Sequence, residues 1–241
     1  MRTPSSLLLA STLMAAGTAT AATCEARSAA TLTPVIELYT SEGCSSCPPA
    51  DRWLSTLKPV AAQGKAVVQA FHVGYWDYIG WVDRFASPAY TTRQRAIAAI
   101  NRQNSIYTPQ LVRNGQDWHD YDRATAAGGP ARASISLARS GPDAFEATVT
   151  PAEGVSGWGA YWTVTENGHS SKVKAGENAG ELLQHDFVVR QYVPAGDYKG
   201  PSKLTLRTVA GDAAHPRQVN LVVFEPATGK TLQALSLQCS G

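Results

Sequence analysis

The sequence predicts an α/β unit over residues 34–128, within a first domain of 23–129, followed by an antiparallel β-sandwich domain over 130–241. Three observations carry this expectation. Up to residue 128, short apolar runs alternate with stretches of helical spacing. At "AAGGPAR" (126–132) two glycines and a proline interrupt the pattern. Beyond them the chain reads as short, alternating, β-rich segments separated by turns.

Each element of the first unit has its own signal. "PVIELYT" (34–40) is an apolar run ending in Thr and Ser, which reads as a buried strand. "CSSCPPADRWLSTLKPVAAQG" (44–64) opens on helix-capping residues and prolines and spaces Trp53, Leu54 and Leu57 helically. Pro59 divides or kinks that helix, and Gly64 stops it. "KAVVQAFHV" (65–73) is a second strand, and "SPAYTTRQRAIAAINRQ" (87–103) a second helix opened by Ser-Pro. "PQLVRNGQDWH" (109–119) reads as a hairpin turning on Asn-Gly, and "DRATAAG" (122–128) as a short closing helix. A strand, a crossover helix and a further strand imply a parallel pair with a right-handed connection.

In the second unit, "ARASISLAR", "AFEATVTPA", "WGAYWTVTEN", "HDFVVRQYV", "KLTLRTV", "QVNLVVFEP" and "LQALSLQC" are about seven strands at sandwich spacing. "KVKAGENAGELLQH" (172–185) is a longer connection and reads as a structural turn.

The amino-terminal text bears on compartment. "MRTPSSLLLASTLMAAGTATAATCEA" has one Arg, an apolar run from Leu7 to about Ala16, and then small residues. That pattern is a secretory signal peptide over 1–22, too short for a permanent membrane helix. Cleavage after Ala22 leaves 219 of the 241 residues and lowers the formal net charge from +2 to +1. Neither nucleic acid nor an anionic membrane is indicated as a partner. A periplasmic or secreted monomer without a membrane span is expected, with protein thiols or disulfides as partners and no cofactor.

Cysteine usage points to chemistry. Cys44 and Cys47 are three residues apart, near the expected start of a helix whose unpaired N–H groups favour a thiolate. Cys44 is the candidate nucleophile, and Cys47, one turn on, the candidate resolving thiol. Two other readings remain: a static local disulfide, or copper(I) or zinc held by Cys44, Cys47 and His72. Cys24 and Cys239, at the ends of the mature chain, are left to form a structural disulfide. The helix-end pair is expected to open to reductant before the long-range one. "HVGYWDYIGWVDRF" (72–85) is unusually aromatic. It packs a satellite core beneath the strand ends, or walls a substrate site through Tyr75 and Trp76 with His72 and Asp77 as proton partners.

These residues carry a resemblance. The element order, the Cys-x-x-Cys after a strand ending in Tyr39 and Thr40, and "TPQLVRNG" before the hairpin resemble the thioredoxin fold, particularly its glutaredoxin branch. "ELYTSEGCSSCPPAD", "HVGYWDYIGWVDRFASPAYTTRQRA", "IYTPQLVRNG" and "KAGENAGELLQHDFVVR" resemble the secreted DUF1223 family over nearly the whole mature chain. The resemblance implies a thioredoxin-like first domain acting as a thiol–disulfide oxidoreductase. It also implies a cis Pro109 facing the cysteines, with Thr108 presenting its backbone to substrate. Two departures stand out. Gly74 occupies a position where the family commonly has Asp, and His119 and Asp120 stand where glutathione-holding glutaredoxins have Gly-Gly. Glutathione is therefore not the expected substrate.

Overall fold

The computed structural model describes residues 24–239. The leader read over 1–22 lies outside the described residues. In chain order, β1 (Glu25–Arg27) and β2 (Val35–Thr40) precede α1 (Pro48–Ser55), α2 (Lys58–Ala62), β3 (Val67–His72) and α3 (Pro88–Ile100). The hairpin β4 (Gln110–Arg113) and β5 (Gln116–Asp117) follows. Then come β6 (Ala133–Gly141), β7 (Ala144–Pro151), β8 (Trp158–Glu166), β9 (His169–Lys172) and β10 (Leu182–His185). The chain ends with β11 (Val188–Tyr198), β12 (Ser202–Arg207), β13 (Arg217–Phe224) and β14 (Thr231–Leu237).

The expected fold class, a thioredoxin-like α/β domain followed by a separate sandwich, is corrected. Strands predominate, and one eight-stranded sheet in the order β14-β13-β8-β11-β3-β2-β4-β5 runs through both halves. Its joint is β11, antiparallel to β8 along most of its length and parallel to β3 where Val188 faces Ala70. Ala70 N–H donates to Phe187 O at 2.8 Å. The physical reason is the outer edge of β3, whose backbone groups would otherwise stand unpaired beside a buried core. Alternation shows that "HDFVVRQYV" is a strand, but not which edge it joins.

A four-stranded sheet, β1-β6-β7-β12, faces the β14-β13-β8-β11 half of the large sheet. Between them lies a core of Ile135, Leu137, Val149, Trp158, Trp162, Leu204 and Leu221, with Cys24 and Cys239 packed at its margin. The Cys24–Cys239 disulfide closes that margin, its Cα atoms 5.6 Å apart. On the other half, β2 and β3 are buried along their whole length, as continuous apolar strands covered on both faces must be. α1 and α2 cover one face through Leu54, Leu57 and Ala61, while α3 covers the other through Tyr90 and Ile97.

One buried ion pair locks α3 onto the sheet. Glu37 of β2 receives Arg93 Nε and Nη2 of α3 at 2.9 and 2.7 Å, and the hydroxyls of Tyr39 and Tyr161 at 2.9 and 3.0 Å. The Arg93 guanidinium lies 3.9 Å from the Tyr161 ring centroid.

Local signals were met or displaced for identifiable reasons. Asn114 and Gly115, with φ of 51° and 78°, form the hairpin turn. The helix read over 44–64 breaks in two because Pro59 has no N–H for Ser55 O. The helix read over 122–128 is a single 3₁₀ turn, Tyr121–Arg123. Arg113 Nε binds the carbonyl of Ala124, which a longer helix would have bonded to the Gly128 N–H; that N–H goes to Leu32 O instead.

Candidate functional site

Cys44 and Cys47 form a disulfide between the end of β2 and the start of α1. The helix does not begin at Cys44, as its sequence suggested. Cys47 is its N-cap residue, and Cys44 sits in the preceding turn, donating to Ser41 O and accepting from Cys47 N. Pro48 and Pro49 fill the first two helical positions, so two of the four N–H groups usually free at a helix start are missing. The Ala50 and Asp51 N–H groups are both spent on Cys47 O. The helix end thus offers Cys44 less anion stabilisation than the spacing alone implied.

Two loops enclose the disulfide. On one side is the aromatic connection 74–85, where Trp76 approaches so closely that a Cβ on Gly43 would come within 2.9 Å of Trp76 Cβ. Trp76 Nε1 donates to Thr108 Oγ1 at 2.8 Å, joining this loop to the start of β4, where the Thr108–Pro109 peptide is cis. Tyr75 packs partly buried against the Tyr39–Phe71–Tyr90 cluster. Asp77 closes its own loop by accepting Asp83 N–H, and Gly74 lies against the same carboxylate.

On the other side is 175–181, the middle of the 172–185 stretch read as a turn, whose last residues, Leu182–His185, are instead β10 paired with β9. Glu177 Oε2 accepts Ser45 N–H at 3.0 Å, and Asn178 Nδ2 donates to the carbonyls of Glu42 and Cys44 at 2.8 and 3.0 Å. This strap leaves Cys44 1% and Cys47 0% exposed. Cys24 and Cys239 are only half-buried, so access by itself does not favour the local pair. Beside the strap, Ser45, Pro48 and Pro49 line a cleft of about 370 Å³ with Glu177, Leu182 and Gln184.

Beneath the cysteine loop is a set of ionisable groups that sequence reasoning missed except for His72. Glu42, Asp51, His72, Asp83 and His185 are all buried. His72 Nδ1 meets Asp83 Oδ2 at 2.7 Å, and Asp83 also accepts the backbone N–H groups of Glu42 and Phe85 at 2.9 Å each. Burial opposes charge on both partners. The charge and hydrogen bond of Asp83 nevertheless raise the His72 pKa, while His72 and the two N–H groups lower that of Asp83. Glu42 accepts Trp81 Nε1 at 2.7 Å and lies 3.2 Å from His185 Nε2. Burial disfavours the Glu42 carboxylate, but His185, Ser171 and Trp81 outweigh it and lower its pKa. Burial raises the pKa of Asp51.

In the disulfide the sulfurs of Cys44 and Cys47 are bonded to each other, so in this state they offer His72 no thiolate with which to share a metal. Among the described residues no group of three or more His, Cys, Asp or Glu side chains is arranged to hold an ion. None of their helices is long and apolar enough to cross a membrane.

Residues 35–225 match the family described as "Protein of unknown function (DUF1223)". The chain belongs to the DUF1223 family. Its structure is similar to the crystal structure of protein AGR_C_4864 from Agrobacterium tumefaciens, with a TM-score of 0.65 and 26% identity. That likeness covers 86% of this chain and 94% of the other. HBP35 of Porphyromonas gingivalis shares the fold at a TM-score of 0.58 and 13% identity, over 87% of this chain and 76% of its own. No curated protein matches the sequence. Within this DUF1223 chain, the spacing of Glu42 two residues before Cys44, and of Asp51 four after Cys47, was a usable signal. Asp83 and His185 had none, because only the folded chain brings them to the cysteine loop.

Proposed function

We propose that this DUF1223 protein is an exported thiol–disulfide oxidoreductase acting on protein thiols or disulfides, with Cys44 as nucleophile and Cys47 as resolving thiol. The observation that carries the reading is the closed Cys44–Cys47 pair flanked in the chain by buried Glu42 and Asp51, with buried His72 and His185 brought to that end of the sheet by the His72–Asp83 and His185–Glu42 contacts. Burying ionisable groups is costly, and their concentration beside a disulfide of three-residue spacing is the arrangement that proton-coupled thiol chemistry needs. The cleft flanked by Ser45, Pro48 and Leu182 gives an incoming polypeptide a seat beside the pair. Trp76, bonded to Thr108, stands on the opposite side, while Tyr75 packs into the Tyr39–Phe71–Tyr90 cluster and Asp77 orders the loop through Asp83. Export rests on the signal-like leader and on the two disulfides, which persist in oxidising compartments.

A second reading, a permanently closed pair in an interaction module, is favoured by the near-complete burial of Cys44 and Cys47. Cysteine substitutions separate the two. In an insulin or dithiol exchange assay, Cys44→Ser is expected to abolish turnover, and Cys47→Ser to accumulate mixed disulfides on Cys44. Wild-type turnover by Cys44→Ser would eliminate the oxidoreductase.

A further inference from the structure

We propose that a second cavity, walled by Phe85 and the loop before β13, binds a small organic phosphate whose phosphate group is gripped by Arg84 and Arg190. The cavity, about 350 Å³, lies where β8, β9, β11 and β13 meet the end of the aromatic connection. A volume of that order takes a small organic molecule. The fixed charges of its lining are the guanidiniums of Arg84, Arg190 and Arg217 against the carboxylates of Glu166 and Asp212.

The three arginines differ in how many of their donors the protein itself uses. Arg217 is fully engaged: Nε and Nη2 donate to Glu166 Oε1, and Nη1 and Nη2 to the carbonyls of Val209 and Ala210. It fixes the loop that forms the cavity rim, so closely that a Cβ on Gly211 would come within 2.9 Å of Arg217 Cζ. Arg84 donates once, from Nη2 to Ser170 O at 2.8 Å. Arg190 approaches a carboxylate only through Nε, 3.3 Å from Glu166 Oε2. That oxygen already accepts His169 Nε2 at 3.0 Å, and Oε1 accepts Arg217. Glu166 is therefore saturated, and among the described residues Arg84 Nη1 and both Nη atoms of Arg190 have no acceptor.

These two guanidiniums lie against one ring. Arg84 Cζ is 4.4 Å and Arg190 Cζ 5.3 Å from the Phe85 centroid. The ring attracts each of them, but two like charges with unspent donors repel one another until an anion joins them. Asp212 does not serve as that anion, because its Oδ1 accepts Ala214 N–H within its own turn.

Two imidazoles complete the wall. His169 and His215 stack with ring centroids 3.7 Å apart. His215 Nδ1 donates to Asn167 O at 3.1 Å, which leaves Nε2 to share a proton with a bound anion. Burial lowers the His169 pKa, Glu166 opposes that, and repulsion from His215 and Arg190 adds to it, the response of an imidazole in a cation-rich site. The groups without a protein partner thus come from three elements: the aromatic connection, β11 and the loop before β13. A phosphate has three terminal oxygens with which to meet three directions, whereas a carboxylate has two in one plane. None of these residues takes part in the cysteine chemistry proposed above, so the two readings stand or fall separately.

Calorimetric titration of the full chain tests the site, with glycerol 3-phosphate, inorganic phosphate and succinate as probes at constant ionic strength. One saturable site for both phosphates is expected, with succinate at least about tenfold weaker. Arg84→Gln and Arg190→Gln should each weaken glycerol 3-phosphate binding about tenfold or more, the worth of a charge-assisted hydrogen bond. Both side chains are exposed, so neither variant should unfold the protein. Arg190→Lys keeps the charge without the fork and should fall between. Arg27→Gln removes the same charge from exposed β1, outside the cavity, and should bind like the unsubstituted protein. Succinate binding as tightly as the phosphates, or inorganic phosphate binding alone, would overturn the ligand class. No saturable phosphate binding up to about 10 mM, unchanged binding in the Arg84→Gln/Arg190→Gln double variant, or an equal loss in Arg27→Gln would overturn the site.

Discussion

Replacing Arg93 by alanine is expected to lower the free energy of unfolding by about 3–5 kcal/mol, the cost of leaving a buried charge without its partner. Glu37 lies in the central strand β2 with a side chain only 2% exposed, and Arg93 supplies its counter-charge through two hydrogen bonds. The tyrosine hydroxyls of Tyr39 and Tyr161 remain, but they offset only part of the desolvation of a carboxylate. Loss of the guanidinium also removes its stacking on Tyr161, a residue of β8, so the damage spans both halves of the large sheet. Urea denaturation of Arg93→Ala, Glu37→Gln and the double variant measures this directly. Adding Glu37→Gln to Arg93→Ala should recover much of the loss, because a neutral amide is cheaper to bury than an unpaired carboxylate. A loss below about 1 kcal/mol in Arg93→Ala would place the pair among ordinary surface contacts.

The second large effect is expected from opening the long-range disulfide. Cys24 precedes β1, on one edge of the four-stranded sheet, and Cys239 follows β14, on one edge of the eight-stranded sheet. The bond therefore ties two edge strands across the sandwich core, and it closes a loop with a sequence separation of 215. In the chain-entropy model such a loop is worth about 5 kcal/mol, an upper figure for natural disulfides. The Cys24→Ser/Cys239→Ser double variant should lose up to that amount in equilibrium unfolding. Hydrogen exchange should rise first in β1 and β14, with exchange chemistry at Cys44 unchanged. Equal stability with and without the bond would mean that β1 and β14 are held by packing alone.

How much was legible in the sequence depends on whether the determinant is local. The Asn114-Gly115 turn, the Ser87-Pro88 helix start and the inward alternation of β6 and β7 are set by neighbouring residues, and they appear where those residues indicate. Strand partnership is not local. β11 reads as one more sandwich strand, yet it joins β3 and fuses the two halves, which is why the expected fold class failed. The same limit applies at the site. The cysteine spacing is visible in the text, whereas the strap of Glu177 and Asn178 and the convergence of His185 on Glu42 require contacts more than a hundred residues apart. "DRATAAG" misled because Arg113, from another element, takes the Ala124 carbonyl that its helix needed.

The account stands on Cys44 and Cys47 being a working redox couple, and one equilibrium titration tests that claim. Native protein is brought to equilibrium across a series of thiol–disulfide buffers, quenched by alkylation, and each cysteine's state read by mass spectrometry. The account predicts a reversible two-electron transition of Cys44 and Cys47 between about −270 and −120 mV, the span of known exchange catalysts. Cys24–Cys239 should stay closed throughout that span, and the protein should remain folded. A Cys44–Cys47 bond that stays closed to below about −300 mV, or opens only when the whole protein unfolds, would contradict it.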